Sequence, residues 1–247
     1  MKIGITERGD AAIHYDEAME AHQKMDMSIF ITKNPKFFLT HELPKNVILH
    51  CTITGFGGTV IEPNVRSCHD EIAAYMFLIR RHGKDRIVLR VDPLIPTPQG
   101  NEKATPVIMN CRGRIRISFM DMYNHVVDRF LASPDSLKCI GLEQHHLRKG
   151  SCQQHVPIPL RLKQYDYVRS LLDGVGCKEE IEVCGEPDFK CTGCISQKDL
   201  DALNISVNDK ISKGGWQRPA CACLAQKTEL LTHKGKCNHN CIYCYWK

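Results

Sequence analysis

The sequence contains no run of eighteen consecutive apolar residues, roughly the length that a membrane-crossing helix requires. Its first residues, MKIGITERGD, lack the basic stretch followed by an apolar stretch that marks a secretion signal. We therefore expect a cytoplasmic protein without a membrane partner. The phosphate-loop spacings GxGxxG and GxxxxGK[ST] are also absent, and the nearest segment, Gly55–Gly58, indicates only a tight turn.

Cysteine, in contrast, is abundant, with fourteen residues in a chain of 247. A cytosolic compartment keeps thiols reduced, so these cysteines do not indicate a disulfide framework. Eight of them crowd between Cys184 and Cys244, which favours metal binding. The other six are scattered, and each is interpreted as a small buried apolar residue. The formal net charge of +5 is compatible with an anionic substrate but does not require one.

Strand and helix patterns alternate along residues 1–184. Apolar or β-branched runs predict six strands, at Lys2–Thr6, Met27–Thr32, Asn46–Thr54, Arg86–Val91, Ile115–Phe119 and Glu180–Cys184. Helical patterns lie between them, at Ala12–Met25, His69–His82, Asp121–Leu131 and Tyr165–Leu172. The alternation predicts an α/β fold with a parallel sheet and right-handed crossovers.

Two architectures fit this alternation. A doubly wound sheet is one, but we favour a partial TIM-like (βα)6 barrel, whose ligands collect at the carboxyl ends of several strands. Residues 185–247 are rich in Gly, Pro, Lys and Cys instead. We interpret them as a cysteine-rich extension, stapled by metal, that packs on the barrel mouth and forms one structural unit with residues 1–184.

The most informative segment is Cys237-Asn-His-Asn-Cys241-Ile-Tyr-Cys244, a Cys-x3-Cys-x2-Cys motif. Three thiolates at this spacing can bind three irons of a [4Fe–4S] cube and leave the fourth iron open to a substrate or cofactor. Two other interpretations stay open. One is a structural zinc site completed by His239 or a distant cysteine, and the other is a surface loop without a ligand.

The segment CNHNCIYCY resembles the signature of radical S-adenosylmethionine (SAM) enzymes, in most of which it lies near the amino terminus. Further motifs extend the likeness over most of the chain, in the order FITKNP (Phe30–Pro35), TITGFGGTVIEPNV (Thr52–Val65), RVDPLIPT (Arg90–Thr97), ISFMDMY (Ile117–Tyr123) and QRPACAC (Gln217–Cys223). Together they resemble an uncharacterised bacterial and phage domain family that carries radical-SAM-type cysteines at its carboxyl terminus. More distantly they resemble spore photoproduct lyase and its relatives, which have partial TIM barrels.

In those relatives the cysteine loop precedes the strands, so the relation is close to a circular permutation. The ends of a domain often lie close together, which makes such a rearrangement tolerable. Only Tyr245-Trp246-Lys247 follow the motif here. We therefore expect neighbouring segments to hold the loop, in place of the helix that follows it in the relatives.

The resemblance implies a radical SAM enzyme. In such an enzyme an electron from the cluster cleaves SAM, and the resulting 5′-deoxyadenosyl radical abstracts hydrogen from a substrate. The substrate is unidentified, and a nucleotide or nucleic acid follows only by analogy with the lyase relatives. A reductant such as flavodoxin or ferredoxin would supply the electron.

The same resemblance implies roles around SAM. Tyr243 is expected to meet the adenine through its backbone and ring. Lys33 would neutralise the SAM carboxylate, although a solvated lysine at a strand end fits equally well. Glu62 would bind a ribose hydroxyl or the amine, and a carboxylate that precedes a helix is the alternative.

Two pairs of residues share a strand face because they lie two positions apart. Thr52 and Thr54 are both expected to point into the barrel. Arg90 and Asp92 lie at a strand end, where they could bind polar groups of SAM or substrate, or form a structural ion pair.

A second cysteine group offers five candidates for four places. Spacing alone selects Cys191, Cys194, Cys221 and Cys223. The family pattern implies Cys184, Cys194, Cys221 and Cys223 instead, with Cys191 as a substitute ligand, and we favour this set. It would hold a second, closed [4Fe–4S] cluster, with a four-cysteine zinc site as the alternative. Lys190 and Lys198 would offset its negative charge.

A function of another class also remains open, namely a non-catalytic iron–sulfur or zinc module that acts as a redox sensor or partner-binding protein. The strand motifs favour the enzyme, whereas the missing helix after the cysteine loop favours the module. His145-His146 and the run Arg112–Arg116 are interpreted as surface features.

Overall fold

The structure of the chain is a computed structural model that describes residues 1–147, 155–206, 220–224, 227–232 and 237–246. Within these ranges one parallel sheet contains β1 (Ile3–Ile5), β2 (Met27–Thr32), β3 (Val47–Thr52), β4 (Ile87–Leu94), β5 (Ile115–Phe119), β6 (Ile181–Val183) and β7 (Lys227–Glu229). The helices are α1 (Tyr15–His22), α2 (Cys68–His82), α3 (Pro98–Met109), α4 (Asn124–Leu131), α5 (Pro134–Ile140), α6 (Ile158–Gly174) and α7 (Gln197–Ala202). Short 3-10 helices lie at Pro35–Leu39 and Gln144–His146. No described helix is both long and apolar enough to cross a membrane.

The strands lie in the order β6-β5-β4-β3-β2-β1-β7. From β1 to β6 each strand therefore pairs with the next strand in the chain, without the reversal of order that defines a doubly wound sheet. Right-handed crossovers that always advance in one direction place their helices on one side of the sheet. In the described part of the chain, β6 and β7 are the two edge strands of the sheet.

The two sides of the sheet are covered by different parts of the chain. Alternate residues of a strand face opposite sides, so that Leu49 of β3 packs in the same apolar cluster as Leu78 of α2. On the opposite side, which we call the inner side, Ile48 packs in a cluster with Leu200 of α7. The segment after β6 thus covers the side that α2, α3 and α6 leave free.

The inner side also carries a buried network of charges. Arg114 donates to Glu182 Oε1 and to Asp199 Oδ1, each at 2.8 Å. Arg116, which is 0% exposed, donates to Glu182 Oε2 at 3.0 Å and to the carbonyl oxygen of Cys194 at 3.0 Å. Burial alone would raise the pKa of Glu182, but Arg116 and Arg114 outweigh it and lower the pKa to about 2. The charges are therefore paired rather than isolated.

This network corrects the interpretation of the arginine run. Arg112 is exposed as expected, but Arg114 and Arg116 are buried, so their assignment to the surface is wrong. Their partner carboxylates lie on β6 and α7, far along the chain, and a local pattern does not reveal them. His145 is exposed, whereas the side chain of His146 lies outside the described part.

All six predicted strands are confirmed, with ends shifted by at most three residues. The prediction places no strand after Cys184, whereas β7 pairs with β1. It also misses α3, because Pro106 interrupts the helical pattern, and the short helices α5 and α7. The scattered cysteines are buried (Cys51, Cys111, Cys177) or partly buried (Cys68, Cys139), and Cys152 lies outside the described residues.

Replacing Arg116 by alanine should lower the free energy of unfolding by about 3 kcal/mol, because Glu182 would lose one of its two buried cationic partners. Urea denaturation followed by circular dichroism measures the change. The matched control is Lys84→Ala, which breaks an exposed ion pair with Glu179 and should shift the urea midpoint far less. Equal shifts in the two variants would show that the buried network contributes no more than a surface pair.

Candidate cofactor site at the carboxyl ends of the strands

The carboxyl ends of the parallel strands lie together along one boundary of the sheet, which runs across the strands from β6 to β7 and which we call the upper edge. Polar side chains collect there, since Thr32 ends β2, Thr52 ends β3, and Asp92 and Ser118 lie near the ends of β4 and β5. All four line a cavity of about 140 Å³, which we call the first cavity. Ligands of parallel α/β folds bind at this edge, so the cavity is where a cofactor is expected.

The cysteine loop, residues 237–246, forms one wall of the first cavity. Cys237, Cys241 and Cys244 all line it, together with Tyr243. The sequence separates these residues from the strand ends by more than a hundred positions, and the fold brings them to the same space. Three thiols thus face the polar ends of the strands.

Hydrogen bonds to the loop backbone tie it to the segment that follows β3. The amide of Ile242 donates to the carbonyl oxygen of Ile61 at 3.0 Å. Asn64 Nδ2 donates to the carbonyl oxygen of Asn238 at 2.6 Å. These contacts fix the loop backbone on both sides of Cys241.

The end of the loop has its own contacts. Arg129 of α4 donates to the carbonyl oxygen of Cys244. The guanidinium carbon of Arg8 lies 5.5 Å from the centre of a ring of Trp246, within the range of a cation–π contact. Neighbouring segments therefore hold the third cysteine and a residue that follows it.

Asp10 is the most heavily bonded anchor of the loop. Its carboxylate accepts from Thr32 Oγ1 at 2.7 Å and from the amide of Lys33 at 2.6 Å, and it lies 2.8 Å from His239 Nε2. Burial would raise the pKa of Asp10, but His239 and the other donors outweigh it and lower the pKa. His239 Nδ1 faces the carbonyl oxygen of Asn64 at 3.5 Å. Because both ring nitrogens face protein oxygens, the arrangement does not favour His239 as a metal ligand.

Lys33, Glu62 and Tyr243 form a compact group beside Cys241. Lys33 Nζ lies 2.7 Å from Glu62 Oε1, and the hydroxyl of Tyr243 donates to the same oxygen. Lys33 also lies 5.4 Å from the centre of the Tyr243 ring. Glu62 is 1% exposed, so this carboxylate is buried with one cation and one hydroxyl as partners. Three of the residues predicted to lie around SAM therefore contact one another.

Arg90 and Asp92 form an ion pair that also lines the first cavity. Arg90 lies 3.5 Å from Thr52 Oγ1, at the limit of a hydrogen bond. Thr54, in contrast, is buried but does not line the cavity, and its hydroxyl accepts from the amide of Phe56. The strand alternation that was expected to pair Thr52 with Thr54 stops because β3 ends at Thr52.

Burial makes two thiols of the loop weaker acids than a free cysteine. It raises the pKa of Cys237 to about 11 and that of Cys241 to about 12, while Lys33 acts in the opposite direction on both. Metal ligation requires thiolates, so binding at this site would displace protons. Soft, buried sulfur donors beside a cation are suited to iron–sulfur or zinc chemistry.

The second cysteine group lines a second, smaller cavity beside the first. Cys184, Cys194, Cys221 and Cys223 all border it, and the sulfurs of Cys184 and Cys194 lie 3.1 Å apart. Cys191 does not border it. Its sulfur lies 3.2 Å from the amide nitrogen of Glu186 and 3.0 Å from the carbonyl oxygen of the same residue. The grouping is that of the family pattern rather than that of spacing alone.

A glycine and two cations shape the second cavity. A Cβ atom at Gly193 would lie 2.3 Å from the backbone nitrogen of Cys223, so only glycine lets these two segments approach. Arg90 and Lys227 line the cavity. The expectation that Lys190 and Lys198 offset the charge of the cysteines is not met, because neither lines the cavity and Lys198 pairs with Glu180 at 2.9 Å.

No three His, Cys, Asp or Glu side chains in the described ranges converge closely enough to hold a single metal ion. A cube differs from a single ion because its thiolates each bind a separate iron and do not need to meet at one point. The donor chemistry of both cysteine groups fits a cluster.

Several residues of the site were not predicted from the sequence. They are Asp10 and Arg129, which hold the cysteine loop, and Glu7, Tyr245 and Lys227, which line one or both cavities. The sequence marks Asp10 only as an acidic residue in the loop after the first strand, which does not by itself predict a role in the site. The others became visible only when the fold brought distant segments together.

Comparison with known proteins assigns the chain to a family. A family model described as "Domain of unknown function (DUF1848)" matches residues 12–246, and the chain belongs to this family. A search of curated proteins found no match.

The anchoring role of Asp10 predicts that Asp10→Ala will loosen the cysteine loop. Losing hydrogen bonds to a buried carboxylate should cost about 1.5–3 kcal/mol of local stability, so amide hydrogen exchange in residues 237–246 should accelerate about tenfold or more. Asp26→Ala is the matched control, since Asp26 also accepts a backbone amide but lies outside the site. Unchanged exchange in Asp10→Ala would mean that other contacts suffice to hold the loop.

Proposed function

We propose that this member of the DUF1848 family is a radical SAM enzyme built on a partial TIM-like barrel. Cys237, Cys241 and Cys244 would hold a [4Fe–4S] cluster with one open iron. The observation that carries the proposal is that three thiols at the radical SAM spacing share one cavity with the polar carboxyl ends of the strands. When bound, the cluster and SAM would supply a 5′-deoxyadenosyl radical that can abstract hydrogen from a substrate.

The group of Lys33 and Glu62 matches the amino acid end of SAM in charge. An amino acid carries one carboxylate and one ammonium group, and Lys33 and Glu62 present the opposite charges 2.7 Å apart. Each could exchange its present partner for the group of opposite charge on SAM, which keeps every buried charge compensated. Tyr243, whose ring lies beside Lys33, would contribute an aromatic surface for the adenine.

Lys33 and Tyr243 line the first cavity, and Glu62 lies behind them; other lining residues would bind the substrate and exclude water. Phe119, Met120 and Trp246 form an apolar part of the wall, while Arg90 and Asp92 provide polar groups. A dry site protects a reactive radical from side reactions. A nucleotide or nucleic acid is the substrate class that the resemblance implies, and flavodoxin or ferredoxin is the implied reductant.

Anaerobic reconstitution tests the proposal directly. Protein loaded with iron and sulfide, reduced with dithionite and given SAM should form 5′-deoxyadenosine, measured by liquid chromatography. Cys241→Ala should abolish the product and the SAM-dependent change in the electron paramagnetic resonance spectrum, because three local thiolates are required. Cys177→Ala should retain both, because Cys177 contacts Gly113 at the opposite edge of the sheet.

Two results would contradict the assignment. A SAM-dependent spectrum in Cys241→Ala would show that the ligands are wrong. A wild-type protein that binds the cluster but forms no 5′-deoxyadenosine would favour the non-catalytic iron–sulfur module instead.

We also propose that Cys184, Cys194, Cys221 and Cys223 hold a second [4Fe–4S] cluster. Anaerobically purified protein should then contain about eight irons per chain, from two cubes of four. Cys194→Ala should lose about half of the iron. Cys191→Ala, the matched control from the same segment, should keep it, because Cys191 faces Glu186. About four irons and one zinc would identify the second site as a zinc site, and zinc in both sites would contradict the radical SAM proposal.

A further inference from the structure

The two cysteine sites are separated by a single shared wall. Glu7, Arg90, Asp92, Ser118 and Tyr245 line both cavities. Of these residues, only Arg90 is cationic. The wall therefore consists of side chains that contact both sites, and one ion pair lies within it.

Arg90 lies between the two sites and lines both cavities. Burial would lower its pKa, but Asp92 and then the thiols of Cys194 and Cys184 outweigh burial and raise it. Its side chain is 15% exposed, so water screens it only in part. The guanidinium is thus a permanent positive charge between the cysteines of the second site and the carboxylate of Asp92.

Lys33 occupies the corresponding place at the first site. Burial lowers its pKa, but Glu62, Cys241 and Asp92 outweigh burial and raise it. Asp92 thus pairs directly with Arg90 and shares the lining of the first cavity with Lys33, and both cations are largely buried. A change of charge at one site reaches the other through this row of partly buried groups.

We propose that the Arg90–Asp92 pair couples the two cysteine sites electrostatically, so that the charge held at the second site sets the reduction potential of a cluster at the first. The inference rests on the proposed function only in that both sites hold metal. Arg90 is here a positioning residue, acting on both sites through its charge.

The expected directions follow from Coulomb's law. Four thiolates leave the second site with net negative charge when it holds either a cluster or zinc, and negative charge opposes the addition of an electron nearby. Emptying the second site should therefore raise the potential of the first cluster. Removing the positive charge of Arg90 should lower that potential, since the negative charge of the second site would be less compensated.

Redox titration followed by electron paramagnetic resonance, without SAM, measures the midpoint potential of the cluster bound by Cys237, Cys241 and Cys244. Cys194→Ala should raise this potential and Arg90→Gln should lower it, each by about 59 mV, which is a tenfold change in the one-electron equilibrium. Arg90→Lys keeps the charge and should stay near the wild type. Because Arg90→Gln leaves every cysteine in place, it tests the coupling even if Cys194→Ala fails to fold.

Two matched controls separate this effect from general changes. Arg86→Gln removes the same charge at the opposite end of β4, where Arg86 donates to the carbonyl oxygens of Pro44 and Val47. Four residues of extended strand separate Arg86 from Arg90, which corresponds to about 13 Å. Cys191→Ala removes a cysteine that does not line the second cavity. Both should leave the potential unchanged.

Each outcome decides the inference. A first cluster whose potential is unaffected by Arg90→Gln and Cys194→Ala overturns the coupling and leaves the proposed function standing. An equal shift in Arg86→Gln assigns the effect to total charge and overturns the role of Arg90. A chain that binds no iron through Cys237, Cys241 and Cys244 contradicts the proposed function and this inference together.

Discussion

The parallel pairing of β1 to β6 in chain order is the constraint on which the rest of the molecule depends. It sends every strand in the same direction, so all carboxyl ends reach the upper edge. It also directs the crossover helices to one side, so that α2, α3 and α6 share one apolar cluster with the sheet. The inner side is left for other contacts, and the segment after β6 covers it.

The inner side buries charged residues beside its apolar cluster. Buried charges are tolerated there because each of these cations has a carboxylate partner. Arg116 of β5 pairs with Glu182 of β6, Arg90 with Asp92 near the upper edge, and Lys33 with Glu62 beside the cysteine loop. The pairs form a series along the inner side, and the two nearest the upper edge border the cavities where the thiols lie. A negatively charged group bound to those thiols would therefore enter an environment that already contains oriented cations.

The fold could be predicted from the sequence as far as its signals are local. Strand positions such as Met27–Thr32 follow from runs rich in β-branched and apolar residues. The spacing of the cysteines from Cys237 to Cys244 indicates metal binding. Helix α3 could not be predicted in this way because Pro106 lies inside it. Strand β7 has three residues and no apolar face, so only its pairing with β1 identifies it.

The cysteines that line the two cavities could be predicted from the sequence, but the residues that hold them in place could not. Residue type and spacing identify candidate cysteines, but only the fold shows which of them line a cavity. Cys194 lines the second cavity, whereas Cys191 contacts Glu186 instead. The partners of Asp10 and Arg116 are distant in sequence, and a hydrogen bond between distant residues leaves no periodic pattern. The same limit explains why Arg114 and Arg116 resemble a surface run until Glu182 and the rest of the inner side are in place.

The position of β7 gives a physical reason why a cysteine loop can follow the strands as well as precede them. β7 is parallel to β1 and adjacent to it, with Lys227 opposite Ile3 and Glu229 opposite Ile5. If β7 and the cysteine loop came before β1 in sequence, the order from β7 through β1 to β6 would continue in one direction and no pairing would change. Only the connection between segments would differ, and connections on the surface are the part of a fold that tolerates change. The contacts of Asp10 and Asn64 with the loop would be the same in either order, because they depend on the position of the loop in the fold and not on its position in the sequence.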